Sequence, residues 1–222
     1  MTFSGHGKRS GVYSSLAFWH IRQGARLIWT KLNVQMRGAM MPVLPTPIAG
    51  LFVVRWPLRE DSRGFFRQSY QAGELAEALG RAPVLAQGNH SRSRAGVLRG
   101  FHTEPWDKLI YVPRGTAMFV AADVRPESPT FGQSESLMLG DAPGEYVRVF
   151  VSRGLSNAFY CFSETDYLND VSAPFDPANR SGVAWNDPTL AVDWPTRTPI
   201  LSEADAAQPF LSALFPDHPI FR

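Results

Sequence analysis

What most limits the fold of this chain is a succession of short extended runs, each cut off by glycine, proline or aspartate. Thr116–Asp123, entered through Pro113-Arg114-Gly115, is the clearest. Runs of this length bounded by turn residues predict strands. The others are Leu51–Trp56, Gly64–Tyr70, Val84–Asn89, Val97–His102, Leu109–Val112, Ser134–Leu139, Tyr146–Val151, Ala158–Ser163 and Tyr167–Val171. Asp141-Ala142-Pro143-Gly144 marks a further turn, and only Gly73–Leu79, stopped by Gly80, predicts a helix. Eighteen glycines and eighteen prolines in 222 residues favour an all-β barrel or sandwich over a helical bundle, and the length suits one compact unit.

Charge divides the chain near residue 40. Residues 1–40 hold six cations (Lys8, Arg9, Arg22, Arg26, Lys31, Arg37) and no acid, whereas the remainder holds sixteen cations against twenty acids. The basic excess therefore belongs to the leader, and no nucleic-acid face is expected on the body. Arg22, Arg26 and Lys31 interrupt the leader too often for a membrane span. The stretch Ser14–Trp19 suits an amphipathic targeting or surface helix; an overextended start, with Met40 or Met41 as initiator, explains the same residues. The expected organisation is a poorly ordered leader, 1–40, and a barrel domain, 41–222. The single cysteine, Cys161, excludes an internal disulfide framework and suits a buried core thiol in a reducing, cytoplasmic compartment.

A frame of glycines and one histidine bears on chemistry. Gly96 is followed by His102 after five residues, then by Glu104, Lys108 and, after six more, Gly115; in a second segment Gly154 precedes Asn157. The frame resembles the two metal-holding segments of cupin-type jelly rolls, with most of the ligands replaced. A divalent ion needs several converging donors. Only His102 and Glu104 remain, and Lys108 puts a cation at a ligand position, so no catalytic metal and no other cofactor is expected.

Six strings carry a more specific resemblance: Asp61–Phe66, Gln87–Ser91, Gly96–His102, Ser128–Gly132, Trp185–Pro188 and Pro199–Asp205. In this order, from about Val43 to Leu211, the chain is similar to the dTDP-4-dehydrorhamnose 3,5-epimerases. The resemblance implies an all-β, double-stranded β-helix of the cupin-like jelly-roll type with short peripheral helices. It also implies a metal-free homodimer acting on a nucleotide-linked 4-keto-6-deoxyhexose, with no membrane partner. The chemistry it implies is enolisation, in which a hydrogen beside a ketone leaves to a base while the charge passes to oxygen.

By position His102 matches the family base, Lys108 the cation beside the enolate oxygen, and Asp205 the acid that orients the imidazole. Gln87, Asn89 and Arg99 match diphosphate-binding positions, and Arg63 lies near the nucleotide. Each has a plainer reading. Asp205 is also the third residue of a capping box opened by Ser202; Lys108 and Arg99 read as solvated charges, and His102 and His90 as structural histidines. The Trp185–Pro188 string reads as a turn in either case.

The departures fall on chemistry. The family's tyrosine acid is replaced by Asn169, and an amide has no usable acid proton. Tyr167 shares the face of Asn169 only if no bulge intervenes. An acid and a histidine of the family are replaced by Phe119 and Asn157. Gln68 and Pro174 replace a glutamate and an aromatic residue that recognise the base, and the loop from His102 to Lys108 is shorter. The leading expectation is an epimerase inverting one or both carbons beside the ketone, with proton exchange outrunning inversion where the opposite-face acid is missing. The alternatives are a repurposed isomerase or cyclase on another enolisable ketone, and a non-catalytic ligand-binding barrel.

Overall fold

The computed structural model describes residues 42–142, 146–179 and 181–222. The basic leader, the two candidate initiators and the second half of the Asp141–Gly144 turn lie outside the described residues. Two antiparallel sheets face each other, with strands numbered along the chain. The first runs β1 (Val43–Pro45), β2 (Leu51–Val54), β10 (Arg148–Val151), β7 (Lys108–Arg114), β12 (Thr165–Val171), β5 (Gln87–Ser93). The second runs β13 (Ser181–Gly182), β6 (Leu98–Thr103), β11 (Leu155–Cys161), β8 (Thr116–Asp123), β9 (Ser134–Gly140). A separate hairpin pairs β3 (Arg59–Asp61) with β4 (Gly64–Phe66). This is the double-stranded β-helix, or jelly roll.

Apolar residues on the facing sides make the central core. Leu51, Val53, Ile110 and Val112 of the first sheet meet Phe119, Ala121, Leu137, Leu139 and Phe159 of the second. Both outer faces are covered too. Helix α1 (Ala72–Leu79) closes over Val54, Leu109 and Phe150 with the fully buried Leu75. The C-terminal segment, with α2 (Glu203–Ala206) and α3 (Leu211–Leu214), lays Val183, Leu190 and Leu211 on Val120, Ala122 and Ala158. Double coverage explains why β8 and β10 read as nearly continuous apolar runs rather than as alternating ones. Truncating Leu75 to alanine should cost about 2–5 kcal/mol, because it is the one fully buried side chain of the helix, with Ala78 and Leu79 packing only partly buried beside it.

Several expected strands shift. The stretch expected at Val84–Asn89 begins only at Gln87 and runs on to Ser93, because its partner β12 ends at Val171, opposite Gln87. The run Gly64–Tyr70 supplies only the three residues of β4, and β11 begins at Leu155, three residues ahead of the expected Ala158. Among the described residues no helix is long and apolar enough to cross a membrane.

Candidate active site

Two glycines set the strand path near the site. At Gly100 (φ 110°) a Cβ would lie 2.6 Å from the Asn157 carbonyl oxygen, so β6 passes β11 there only without a side chain. At Gly115 (φ 85°) a Cβ would collide with the Glu164 carbonyl, so the turn from β7 to β8 tolerates no side chain. Register then places His102 opposite Asn157 in the second sheet, and Lys108 between Val151 and Val171 in the first.

The C-terminal segment completes the geometry. The Ile200 amide donates to the Gly96 carbonyl at 2.8 Å and the Leu98 amide to the Ile200 carbonyl at 3.0 Å, which fixes the approach to α2 beside β6. The Ser202 hydroxyl caps α2 by accepting from the Asp205 amide at 3.1 Å. The buried Asp205 carboxylate meets His102 Nε2 at 2.7 Å. Capping and pairing are thus not alternatives: the backbone of Asp205 serves the helix while its side chain serves the imidazole.

Lys108 is almost wholly buried. Its ammonium donates to Asn157 Oδ1 at 2.5 Å and to the His102 carbonyl at 3.3 Å, and it forms an ion pair with Glu104. An ammonium has three hydrogens, and three acceptors surround this one. Burial pulls the Lys108 pKa down, with the Glu104 charge and hydrogen bond working against that shift. The approach to Lys108 is pinned by Asp107, whose carboxylate accepts from the Arg153 amide at 3.1 Å and from Arg81 at 2.6 Å. Burial works to raise the Asp107 pKa, but these partners hold it below the usual carboxylate range.

His102, Glu104, Lys108, Asn157, Phe159 and Tyr167 face one cavity of about 170 Å³, with Asn89, His90, Arg99 and Asn169 around it. A larger concavity, about 670 Å³, lies between Pro126–Pro129 and the C-terminal Leu214–Pro219. The smaller cavity is the better candidate, since convergent ionisable groups rather than volume mark a reactive site. Among the described residues no three His, Cys, Asp or Glu side chains converge as metal ligands.

The remaining expected site residues are spread out. Asn89 donates to the Asn169 carbonyl at 3.2 Å and accepts from Gln87 at 2.7 Å; Gln87 in turn accepts from the Phe175 amide at 3.0 Å. Arg99 is held by Ser93 at 2.9 Å. Arg63 does not reach this cavity: it sits exposed on the β3–β4 hairpin, paired with Asp61 at 2.5 Å. Phe119 is core rather than cavity lining. His90 lines the cavity mouth and pairs with Asp166 at 3.1 Å. Sequence reasoning missed the pairing of Glu104 with Lys108. Its signal was the shortened loop, which keeps a carboxylate four residues from the lysine.

A family profile for dTDP-4-dehydrorhamnose 3,5-epimerase matches residues 45–213. The chain is 33% identical over 178 residues to the dTDP-4-dehydrorhamnose 3,5-epimerase of Salmonella typhimurium, spanning 78% of this chain and 96% of that one. It is 39% identical over 170 residues to the dTDP-4-dehydrorhamnose 3-epimerase of Streptomyces niveus, spanning 74% and 81%. Among solved structures it resembles NovW, a 4-keto-6-deoxy sugar epimerase from the novobiocin cluster of Streptomyces spheroides. The TM-score is 0.76 at 37% identity, covering 82% of this chain and 92% of that one. Fold, site and relatives together define a jelly-roll epimerase, an isomerase by reaction class. The chain belongs to the dTDP-4-dehydrorhamnose 3,5-epimerase family.

Proposed function

We propose that the protein epimerises a dTDP-linked 4-keto-6-deoxyhexose at one or both carbons beside the ketone, by enolisation and without a metal or other cofactor. The observation that carries this reading is the His102–Asp205 pair, 2.7 Å apart and facing the same cavity as a buried lysine. His102 takes the α-hydrogen, Asp205 fixes its ring, and Lys108 lies beside the oxygen that gains charge. A substrate oxygen must displace one of the three acceptors around the lysine.

Gln87, Asn89 and Arg99 provide amides and a guanidinium for the diphosphate, and Arg63 serves the nucleotide end. The exposed hairpin that carries Arg63 also presents Phe65 and Phe66, 50% and 69% exposed. Apolar exposure of that kind suits burial against a second copy, which supports the homodimer. Cytoplasmic location accords with the lone reduced cysteine. The test of the function is NMR of dTDP-4-keto-6-deoxyglucose with the protein: an inverted sugar should accumulate, and an unchanged substrate would refute the reading. Elemental analysis should find no stoichiometric zinc, iron or manganese.

A further inference from the structure

We infer that Tyr167 donates the proton on the face of the substrate opposite His102, a role that position 169 does not fill in this chain. The inference rests on the epimerase reading above and names the acid which that reading lacks.

Strand geometry brings the phenol to the site. The pairing of β12 with β5 is unbroken from Thr165 opposite Ser93 to Val171 opposite Gln87. The irregularity against β7 falls between Asp166 and Leu168, where three residue steps of β7, from Arg114 to Tyr111, span two steps of β12. The extra residue is therefore in β7, and period-two alternation along β12 holds. Tyr167 and Asn169 share one face and line one cavity with His102, but they come from the first sheet whereas His102 comes from the second. Base and phenol thus approach the cavity from opposite walls.

Hydrogen bonding leaves the phenolic hydrogen available. Lys108 is only a donor, so its contact with Asn157 Oδ1 fixes the amide with Nδ2 toward Tyr167, and Nδ2 donates to the phenolic oxygen at 3.5 Å. Among the described residues no acceptor takes the hydroxyl's own hydrogen. The ring is clamped flat against Phe159, with centroids 3.9 Å apart and planes 8° apart, so the hydroxyl has a fixed place. Burial first, and then the Glu104 charge, hold the phenol well above its ordinary pKa, which keeps it a donor at neutral pH. Asn169 has another use. Its Oδ1 is buried with no donor among the described residues, and it suits a substrate hydroxyl.

The step balances without an oxidant or reductant. The α-C–H bond breaks, its proton going to His102 and its electron pair into the enolate. A new C–H bond then forms on the other face with the proton of the Tyr167 hydroxyl. The phenolate regains a proton from solvent as the imidazolium loses one.

The test uses the full chain and dTDP-4-keto-6-deoxyglucose in deuterated water, reading both deuterium entry at the α-carbons and formation of inverted sugar. Tyr167→Phe should keep its melting temperature and its exchange to within a few-fold while inversion falls by about 10² to 10⁴. Asn169→Ala should leave the ratio of exchange to inversion unchanged. A Tyr167→Phe protein that inverts as fast as the unaltered one, or that loses exchange and inversion together, overturns the assignment while leaving the epimerase reading in place. An unaltered protein that neither exchanges nor inverts overturns both.

Discussion

His102 and Asp205 lie 103 residues apart in the chain, yet their side chains meet at 2.7 Å. The contact depends on two backbone hydrogen bonds that fasten Ile200 to Gly96 and to Leu98 at the start of β6, so the imidazole is oriented by a segment from the end of the domain. Orientation and helix capping use different atoms of Asp205, and mutation can separate them.

Asp205→Asn should therefore leave the cap intact and the melting temperature nearly unchanged while turnover falls by about 10² or more, since a neutral amide replaces the carboxylate that fixes the ring's tautomer and favours the imidazolium. Ser202→Ala should show the reverse balance, costing about 0.5–2 kcal/mol of stability with a smaller loss of turnover. Thermal melts and steady-state kinetics on both proteins check this. An Asp205→Asn protein that keeps its turnover would contradict the orienting role of the carboxylate.

Glu104 acts on the protons of two groups in the cavity, so it should influence the alkaline limit of activity. Its charge and hydrogen bond oppose the downward pull of burial on Lys108, and its charge adds to the upward pull on Tyr167. Glu104→Gln removes the charge that acts on both, so each group should lose its proton at lower pH. The alkaline limb of the kcat/KM profile should move to lower pH, and a limb that stays or moves upward would contradict the electrostatics.

At the acid end, Asp166 is held at about 2, first by the Arg92 hydrogen bond and then by His90. A carboxyl whose folded pKa lies below its ordinary 3.8 contributes stability above that value and loses it as pH falls toward about 2. Asp107 and Asp123 are lowered as well, so they act in the same direction. Melting temperature should fall steeply below about pH 4. Asp166→Asn should flatten part of that fall.

Strand β8 was legible to the residue, because Gly115 opens it and its apolar run continues to Asp123. β3 and β13 have three and two residues, too few for a periodic pattern to mark them. His102 and Lys108 stood out through the spacing of the glycines around them. The partner of His102 was legible only through the family resemblance, since nothing local to Asp205 points to β6. The Glu104–Lys108 pair escaped because four-residue spacing brings side chains together on a helix, and here a non-helical loop does so. The place of Tyr167 required knowing which strand carries the bulge; composition and spacing do not reveal that.

Association should follow from the β3–β4 hairpin. Phe65 and Phe66 are exposed beside Arg63, so a dimeric mass at micromolar concentration is expected. Phe65→Ser with Phe66→Ser should shift it toward monomer without unfolding the barrel, because neither ring belongs to its core. A monomeric mass for the unaltered chain, read by light scattering, would contradict the dimer.

The most direct test of the central claim, that His102 is the base of an enolising epimerase, is proton exchange by NMR in deuterated water. With dTDP-4-keto-6-deoxyglucose, the unaltered protein should introduce deuterium at C3 or C5, and His102→Ala should slow that entry by about 10² to 10⁴. Exchange by His102→Ala at the unaltered rate would contradict the account.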